Sequence, residues 1–216
     1  TNTSNWELMG GWGVGPSHWG FVASVQQQVL PRTSLEVGYS RRWLNNFTVT
    51  DNLMTQPSDY TPFSITAPTD ARLSDASGQV ISGLFNVQQN VASLLNNFNT
   101  LASDYGKQYQ HFNGVLLNVS SRVRNGLTVQ GGLNTGKTVS DNCEIRAQIP
   151  ELTVAGIVSA AGPGVNASNP WCHIDTGWLT RGTALAAYEI PKVEVLFSTT
   201  FRSDQGGQLA ANYTIP

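Results

Sequence analysis

Apolar and polar positions alternate along this chain in three pairs of segments. The pairs are Trp19–Leu30 with Leu35–Trp43, Tyr109–Val123 with Leu127–Leu133, and Ala184–Ile190 with Val193–Phe201. A period of two predicts β-strands, because successive side chains of a strand point to opposite faces. Each pair therefore predicts a hairpin, and the chain predicts a single all-β domain over residues 1–216, built of antiparallel up-and-down hairpins.

The connections within the three pairs are short and carry turn-forming residues. Pro31 interrupts the first pair, Asn125 and Gly126 interrupt the second, and Pro191 interrupts the third. An Asn-Gly pair supplies the positive φ angles of a tight hairpin turn, and proline cannot donate to a β-ladder. We therefore predict hairpin turns at Pro31, Asn125, Gly126 and Pro191.

The connections between the pairs are long and polar, and they cover approximately residues 45–106 and 141–177. Loops of this length are rarely structureless in a compact domain, so short strands are expected at Phe47–Thr50 and Val80–Phe85. Apolar residues at helical spacing also predict a short amphipathic helix; they are Val87, Val91, Leu94, Leu95, Phe98 and Leu101. Short turns at one end of a sheet and long loops at the other are typical of an outer-membrane β-barrel.

The two faces of the predicted strands differ in composition. The apolar face, which would meet lipid in a membrane barrel, includes Val115, Leu117, Val119, Val193, Val195 and Phe197. The opposite face carries Gln, Asn, Ser and Thr, which favours a wet lumen over a fully solvated surface. Trp19 and Trp43 fall at the loop-side strand ends, which fits the aromatic girdle of a membrane barrel; ordinary aromatic enrichment in β structure is the alternative.

Composition narrows the class of protein further. Charged residues make up 12% of the chain, about half the usual share of a soluble domain. The net charge of −2 rules out a strong electrostatic case for nucleic-acid binding, which would need a basic face. The chain begins at Thr1 without a signal peptide, so we expect a mature or trimmed product, or the ordered part of a longer chain.

Cys143 and Cys172 lie in the same loop-like region, and no metal-ligand spacing surrounds either of them. In an oxidising compartment they would form a disulfide that closes this loop. The alternative is a pair of buried free thiols in a cytosolic protein.

The candidate catalytic motifs lack the neighbouring sequence pattern that their mechanisms require. Gly131–Thr138 matches the phosphate-loop pattern, but that mechanism requires a helix directly afterwards, and both sides of this segment alternate as strands. His18, His111, His173 and Asp175 show neither a nucleophile elbow nor a metal-ligand spacing. We predict no catalytic residue, no cofactor and no metal, and therefore no enzyme.

Two further features bear on ligands. Arg41 and Arg42 either contact an anion in the lumen or at the rim, or act as a structural pair that caps the end of a strand. The Trp, Tyr and Asn content of the loops suits stacking on, and hydrogen bonding to, a sugar or a peptide. An unknown small ligand is therefore expected at the loops.

Several segments resemble the barrel region of TonB-dependent-receptor-like outer-membrane proteins, of the type with an N-terminal carboxypeptidase-regulatory-like domain. They are Leu30–Trp43, Asn46–Asn52, Tyr60–Pro68, Leu101–Lys107, Gly131–Cys143 and Tyr188–Pro191. The resemblance does not extend to a plug, a TonB-contacting segment or a final strand with a terminal aromatic residue. It therefore implies an internal piece of a barrel of about twenty or more strands.

The resemblance implies a nutrient-uptake receptor in a bacterial outer membrane, whose partners are membrane lipid and the rest of the parent barrel. One alternative is a truncated or proteolytic fragment that self-assembles by β-edge pairing into an extracellular filament or tube, as a homo-oligomer. A second alternative is a secreted β-sandwich that binds carbohydrate.

Overall fold

A computed structural model describes residues 2–10, 13–72, 77–123, 126–153, 172–191 and 193–206, and most of these residues lie in strands. The strands are β1 (Asn2–Ser4), β2 (Ser17–Leu30), β3 (Thr33–Asn45), β4 (Thr48–Asn52), β5 (Tyr60–Thr66), β6 (Val80–Val87), β7 (Asn97–Leu101), β8 (Tyr109–Arg122), β9 (Leu127–Asp141), β10 (His173–Asp175), β11 (Leu179–Ile190) and β12 (Val195–Ser203). Helical structure in these ranges is confined to α1 (Cys143–Gln148) and to single 3₁₀ turns.

The long strands form one antiparallel sheet in the order β12-β11-β9-β8-β3-β2, and the short β10 pairs with the end of β9. Its hairpins β2–β3, β8–β9 and β11–β12 are the three pairs that the alternation predicts. The predicted all-β fold of up-and-down hairpins is therefore confirmed. Within the described residues the sheet is open rather than a closed barrel, with β2 and β12 as its edges.

The first two hairpin turns contain the residues that the sequence indicates. Pro31 and Arg32 connect β2 to β3, and Arg32 has a φ of 63°. Gly126 precedes β9 with a φ of 76°, a conformation that glycine adopts without steric cost. The predicted turn residue Asn125 lies outside the described residues.

The third turn is longer than the sequence pattern indicates. It begins at Pro191, and Ile190 pairs directly with Val195 across the hairpin. Glu194 has a φ of 53°, which interrupts the extended backbone before β12. Val193 therefore lies in the turn rather than on the strand where the alternation places it.

The long connections lie at the other end of the sheet and have secondary structure of their own. In a separate sheet, β7 lies between β1 and β4. The strands β5 and β6 form a further hairpin. The short strands expected near residues 47–50 and 80–85 are present as β4 and β6.

The amphipathic helix predicted from Val87 to Leu101 is wrong. The chain turns after β6 and then forms β7, which pairs on both sides. The Asn52 side chain holds this segment in place, because its amide donates to the Leu94 carbonyl at 2.8 Å and its oxygen accepts from the Asn96 N–H at 2.9 Å. Backbone pairing to two neighbouring strands thus outweighs the helical spacing of these apolar residues.

The buried hydrophobic cluster of the described residues lies in these connections, and on the large sheet Val139 is buried as well. The cluster consists of Val49, Ala102, Ile145 and Ile149, with Phe47, Tyr105 and Leu152 packed around it. These residues come from β4, from the segment after β7 and from α1 with the turn that follows it. We call this unit the loop module; the disulfide between Cys143 and Cys172 starts at the first residue of α1.

An aromatic ring covers glycines in the centre of the large sheet. A Cβ added to Gly136 would lie 2.5 Å from a ring carbon of Phe112, and one added to Gly114 would lie 2.8 Å from the same ring. Both glycines are buried positions in adjacent strands. The absence of side chains at these positions therefore creates the space in which the Phe112 ring lies.

We expect Gly136→Ala to destabilise the protein by about 1–3 kcal/mol, because the new methyl group overlaps the Phe112 ring and lies 3.0 Å from the Asn113 carbonyl oxygen. The matched control is Gly131→Ala on the same strand, where the nearest atom is 3.8 Å away. The measurement is urea unfolding followed by tryptophan fluorescence. Equal unfolding midpoints for the two variants would contradict the close packing.

Candidate functional site

The register of the large sheet sorts its side chains into two continuous faces. Partners in register on one face include Val25, Val37, Leu117 and Leu133, on β2, β3, β8 and β9. The neighbouring row continues with Leu35, Val119, Ala184 and Phe201. We call this side the apolar face.

The apolar face is exposed although it is made of large hydrophobic side chains. Leu133 is 50% exposed, Phe197 is 64% exposed and Val25 is 72% exposed. The predicted lipid-facing residues Val115, Leu117, Val119 and Val195 are also exposed on it, and Val193 is exposed in the adjoining turn. Contiguous apolar surface of this kind marks an interaction site or a membrane surface.

The opposite side, the polar face, carries amide, hydroxyl and charged groups. One row in register consists of Gln26, Glu36, Asn118, Gly132, Thr183 and Arg202. The Asn118 amide donates to the Glu36 carboxylate at 3.0 Å. Near the β12 edge, Asp204 forms ion pairs with both Arg181 and Arg202. This face can hydrogen-bond water or a polar ligand.

Aromatic and basic side chains form a rim at the loop end of the apolar face. Trp19 pairs with Trp43 across β2 and β3, and the Trp43 ring lies 4.7 Å below the Arg41 guanidinium carbon. The rings of Tyr109 and His111 stack with their centroids 5.8 Å apart. Cation–π and aromatic contacts of this kind are favoured where an apolar surface meets water.

The adjacent residues Arg41 and Arg42 point to opposite faces, because they are consecutive on β3. Arg41 is on the apolar face in register with Asn113, whereas Arg42 is in register with Phe112 on the polar face. The two side chains therefore do not act as one pair that caps a strand end. Contact of either arginine with an anion stays a prediction.

Two polar side-chain pairs attach β10 to the rim. The Lys137 ammonium lies 2.9 Å from Asp175, and His173 Nδ1 lies 2.8 Å from the Asp141 carboxylate. The Lys137 ammonium and the Gly177 backbone N–H lower the pKa of Asp175. The Asp175 carboxylate is therefore ionised well below neutral pH, so the ion pair with Lys137 is present at neutral pH.

The disulfide between Cys143 and Cys172 lies next to these pairs, with the two Cα atoms 4.7 Å apart. Closing a loop of this separation stabilises the folded chain by about 3–4 kcal/mol on the chain-entropy model. It connects α1 of the loop module to β10 and hence to the large sheet. The backbone N–H of Asn142 also donates to the Cys172 carbonyl at 3.0 Å.

The phosphate-loop pattern at Gly131–Thr138 lies entirely within β9, which pairs with β8 on one side and β11 on the other. Its backbone amides belong to the ladder and form no anion-binding loop. The described residues also contain no group of three or more His, Cys, Asp or Glu side chains placed to hold a metal ion. The apolar face with its rim is therefore the candidate site.

Two structural features, the loop module and the rim, have only weak signals in the sequence. The loop module joins Val49 to Ile145, which are distant in the chain and carry no shared motif. At the rim, Arg41, His111 and Lys137 lie on one face. The period-two pattern would have predicted this grouping if basic residues had been assigned to faces in the same way as apolar ones.

In the part of the chain that the structure describes, no helix has the length and apolar character needed to cross a membrane. In comparisons with known proteins, no family model, no curated protein and no solved structure matches this chain.

Proposed function

We propose that this chain forms part of the wall of an outer-membrane β-barrel receptor of the TonB-dependent type, whose parent protein takes up a nutrient. The observation that carries the proposal is the exposed apolar face of the large sheet, backed by a polar face on the same strands. In a membrane barrel the first face contacts lipid and the second lines the lumen.

The height of the apolar face is consistent with a bilayer. On β9 it extends from Leu127 to the rim residue Lys137, which is about 34 Å at roughly 3.4 Å per residue. A strand tilted by about 45° would then cover about 24 Å of membrane, close to the roughly 25 Å apolar band of outer-membrane barrels. The Trp19–Trp43 pair would lie at one interface, and Tyr188 and Phe197, which are in register, would lie near the other.

The two ends of the sheet support the same orientation. Short turns connect β2 to β3 and β11 to β12 at one end, whereas the loop module and the β5–β6 hairpin lie at the other. Outer-membrane barrels have short periplasmic turns and long extracellular loops. The loop module would then face outward, where it can contribute to ligand binding.

A β-sandwich would arrange the same strands differently. Two sheets of a sandwich pack their apolar faces together and bury them. In the described residues the apolar face of the large sheet is exposed, and the buried core is the separate cluster around Ile145. This arrangement favours a lipid-facing wall over a secreted carbohydrate-binding sandwich.

Flotation with vesicles tests the proposal. We expect the purified chain, refolded with phosphatidylcholine vesicles, to float with them and to resist alkaline carbonate, because its apolar face is inserted among the acyl chains. Intact-mass analysis of the same sample determines whether the chain is alone or part of a larger parent. Recovery of dispersed monomers in the aqueous fraction would contradict membrane insertion.

A second function is favoured by the open edges of the sheet. All fourteen residues of β2 are exposed, and β2 and β12 each pair on one side only among the described strands. Such edges are templates for pairing with another chain. The alternative proposal is therefore a fragment that assembles edge to edge into an extracellular filament or tube. Electron microscopy of detergent-free samples tests it, and a dispersed monomer would count against it.

A further inference from the structure

The Arg41 side chain is basic but lies on the apolar face. Its guanidinium stacks on Trp43, and its Nε is buried without a hydrogen-bond partner in the structure. Among the described residues, no carboxylate forms an ion pair with it, whereas Arg181 and Arg202 on the polar face share Asp204. The Arg41 guanidinium therefore carries a charge that none of these ion pairs balances, and guanidinium groups are strong donors to anions.

The neighbours of Arg41 in the same row include no acidic residue that would neutralise it. The row consists of Phe21, Arg41, Asn113 and Lys137, from β2, β3, β8 and β9. Arg41 and Lys137 are two strands apart, which is about 9–10 Å between backbones. The Asn113 side-chain oxygen between them accepts from the Tyr39 hydroxyl at 2.8 Å, which leaves the Asn113 amide group as a donor.

The position of this row indicates which anion it would meet. Below it the apolar face continues with Val115 and Leu117, and above it lies the Trp19–Trp43 pair. In a membrane this is the level of the lipid headgroups, whose phosphates carry the negative charge. Guanidinium groups bind phosphate oxygens through two parallel hydrogen bonds, and stacking on an aromatic ring orients the guanidinium plane.

We propose that Arg41, oriented by Trp43, binds the phosphate of an anionic membrane lipid at the rim of the apolar face, with Asn113 and Lys137 beside it. This inference rests on the proposed membrane location. The Lys137 ammonium is already paired with Asp175 at 2.9 Å. Arg41 therefore provides the main positive charge of the site, and Lys137 lies beside it.

The adjacent arginine provides a matched control. Arg41→Gln and Arg42→Gln remove the same charge from consecutive positions of β3, but from opposite faces of the sheet. Neither side chain belongs to the buried cluster around Ile145, so both variants should fold. Binding is measured to vesicles of phosphatidylcholine alone and to vesicles that also contain phosphatidylglycerol.

We expect wild type and Arg42→Gln to prefer the vesicles with phosphatidylglycerol, and Arg41→Gln to lose about fivefold of this preference, as expected for one cation at a headgroup phosphate. Binding of all three proteins to pure phosphatidylcholine should be equal. Equal losses in the two variants, or no loss in Arg41→Gln, would overturn the inference while leaving the membrane location intact.

Inorganic phosphate distinguishes a lipid headgroup from a soluble anion. If millimolar phosphate abolishes the difference between wild type and Arg41→Gln while chloride of the same ionic strength does not, the site prefers the free anion and the assignment to lipid is wrong. If the difference persists, the lipid is the ligand. Failure of wild type to bind phosphatidylcholine vesicles at all would instead overturn the proposed function, and the inference with it.

Discussion

Replacing Ile145 by alanine should unfold the loop module while leaving the large sheet in place. Ile145 is fully buried, and it packs in one cluster with Val49, Ala102 and Ile149. Truncating a buried isoleucine costs about 2–5 kcal/mol, through lost apolar burial and the cavity that remains. The cluster is small, so this loss is a large share of its stability.

Hydrogen exchange resolved by peptide is the appropriate measurement, because the sheet and the loop module can lose protection separately. We expect faster exchange in β4, in α1 and at Ile149 of the Ile145→Ala variant, and unchanged exchange in β8 and β9. The control is Leu53→Ala, since Leu53 follows β4 and is 51% exposed. Unchanged protection of α1 in Ile145→Ala would show that the cluster does not hold the module together.

The hairpins of the large sheet could be predicted from sequence because their determinants are local. On β8, Val115, Leu117 and Val119 recur at every second position, and Gly126 follows the strand with the positive φ that a tight turn requires. The neighbouring strands repeat the same pattern, so the register that aligns them also separates the apolar face from the polar face.

The loop module could not be predicted because its determinants are not local. Val49 lies on β4 and Ile145 on α1, so five described strands, β5 to β9, separate the two residues in the chain before they meet at the same end of the sheet. The helical spacing between Val87 and Leu101 was misleading for the same reason. Pairing of β7 with β1 and β4 decided that segment, and neither partner is near it in sequence.

The candidate site could be predicted from sequence only in part. The exposed apolar residues of the site and the polar character of the opposite face follow from the alternation. Extending the register to charged residues separates Arg41 from Arg42 and places Lys137 in the row of Arg41. Lys137 forms an ion pair with Asp175 on β10. This pair could not be predicted from sequence, because the disulfide-closed loop separates β9 from β10 in the chain and only their pairing brings the two residues together.

Replacing Leu117 by arginine should destabilise the protein in lipid by about 2–4 kcal/mol, because Leu117 lies near the middle of the apolar face, where a lipid-facing charge is most costly. In water the same substitution should change stability by less than about 0.5 kcal/mol, since Leu117 is already 36% exposed. The loss of stability is thus expected in lipid and not in water.

Ser120→Arg is the control for this prediction, because Ser120 is on the same strand but points to the polar face in register with Gln130. Substitutions that face a lumen are tolerated, so its stability in lipid should stay close to that of wild type. Urea unfolding measures the free energy of unfolding of both variants, in phosphatidylcholine vesicles and in buffer. An equal penalty for Leu117→Arg and Ser120→Arg in vesicles would contradict the assignment of the faces. A small penalty for both would place the apolar face outside the bilayer, and edge-to-edge assembly would then be the better account of the exposed strands.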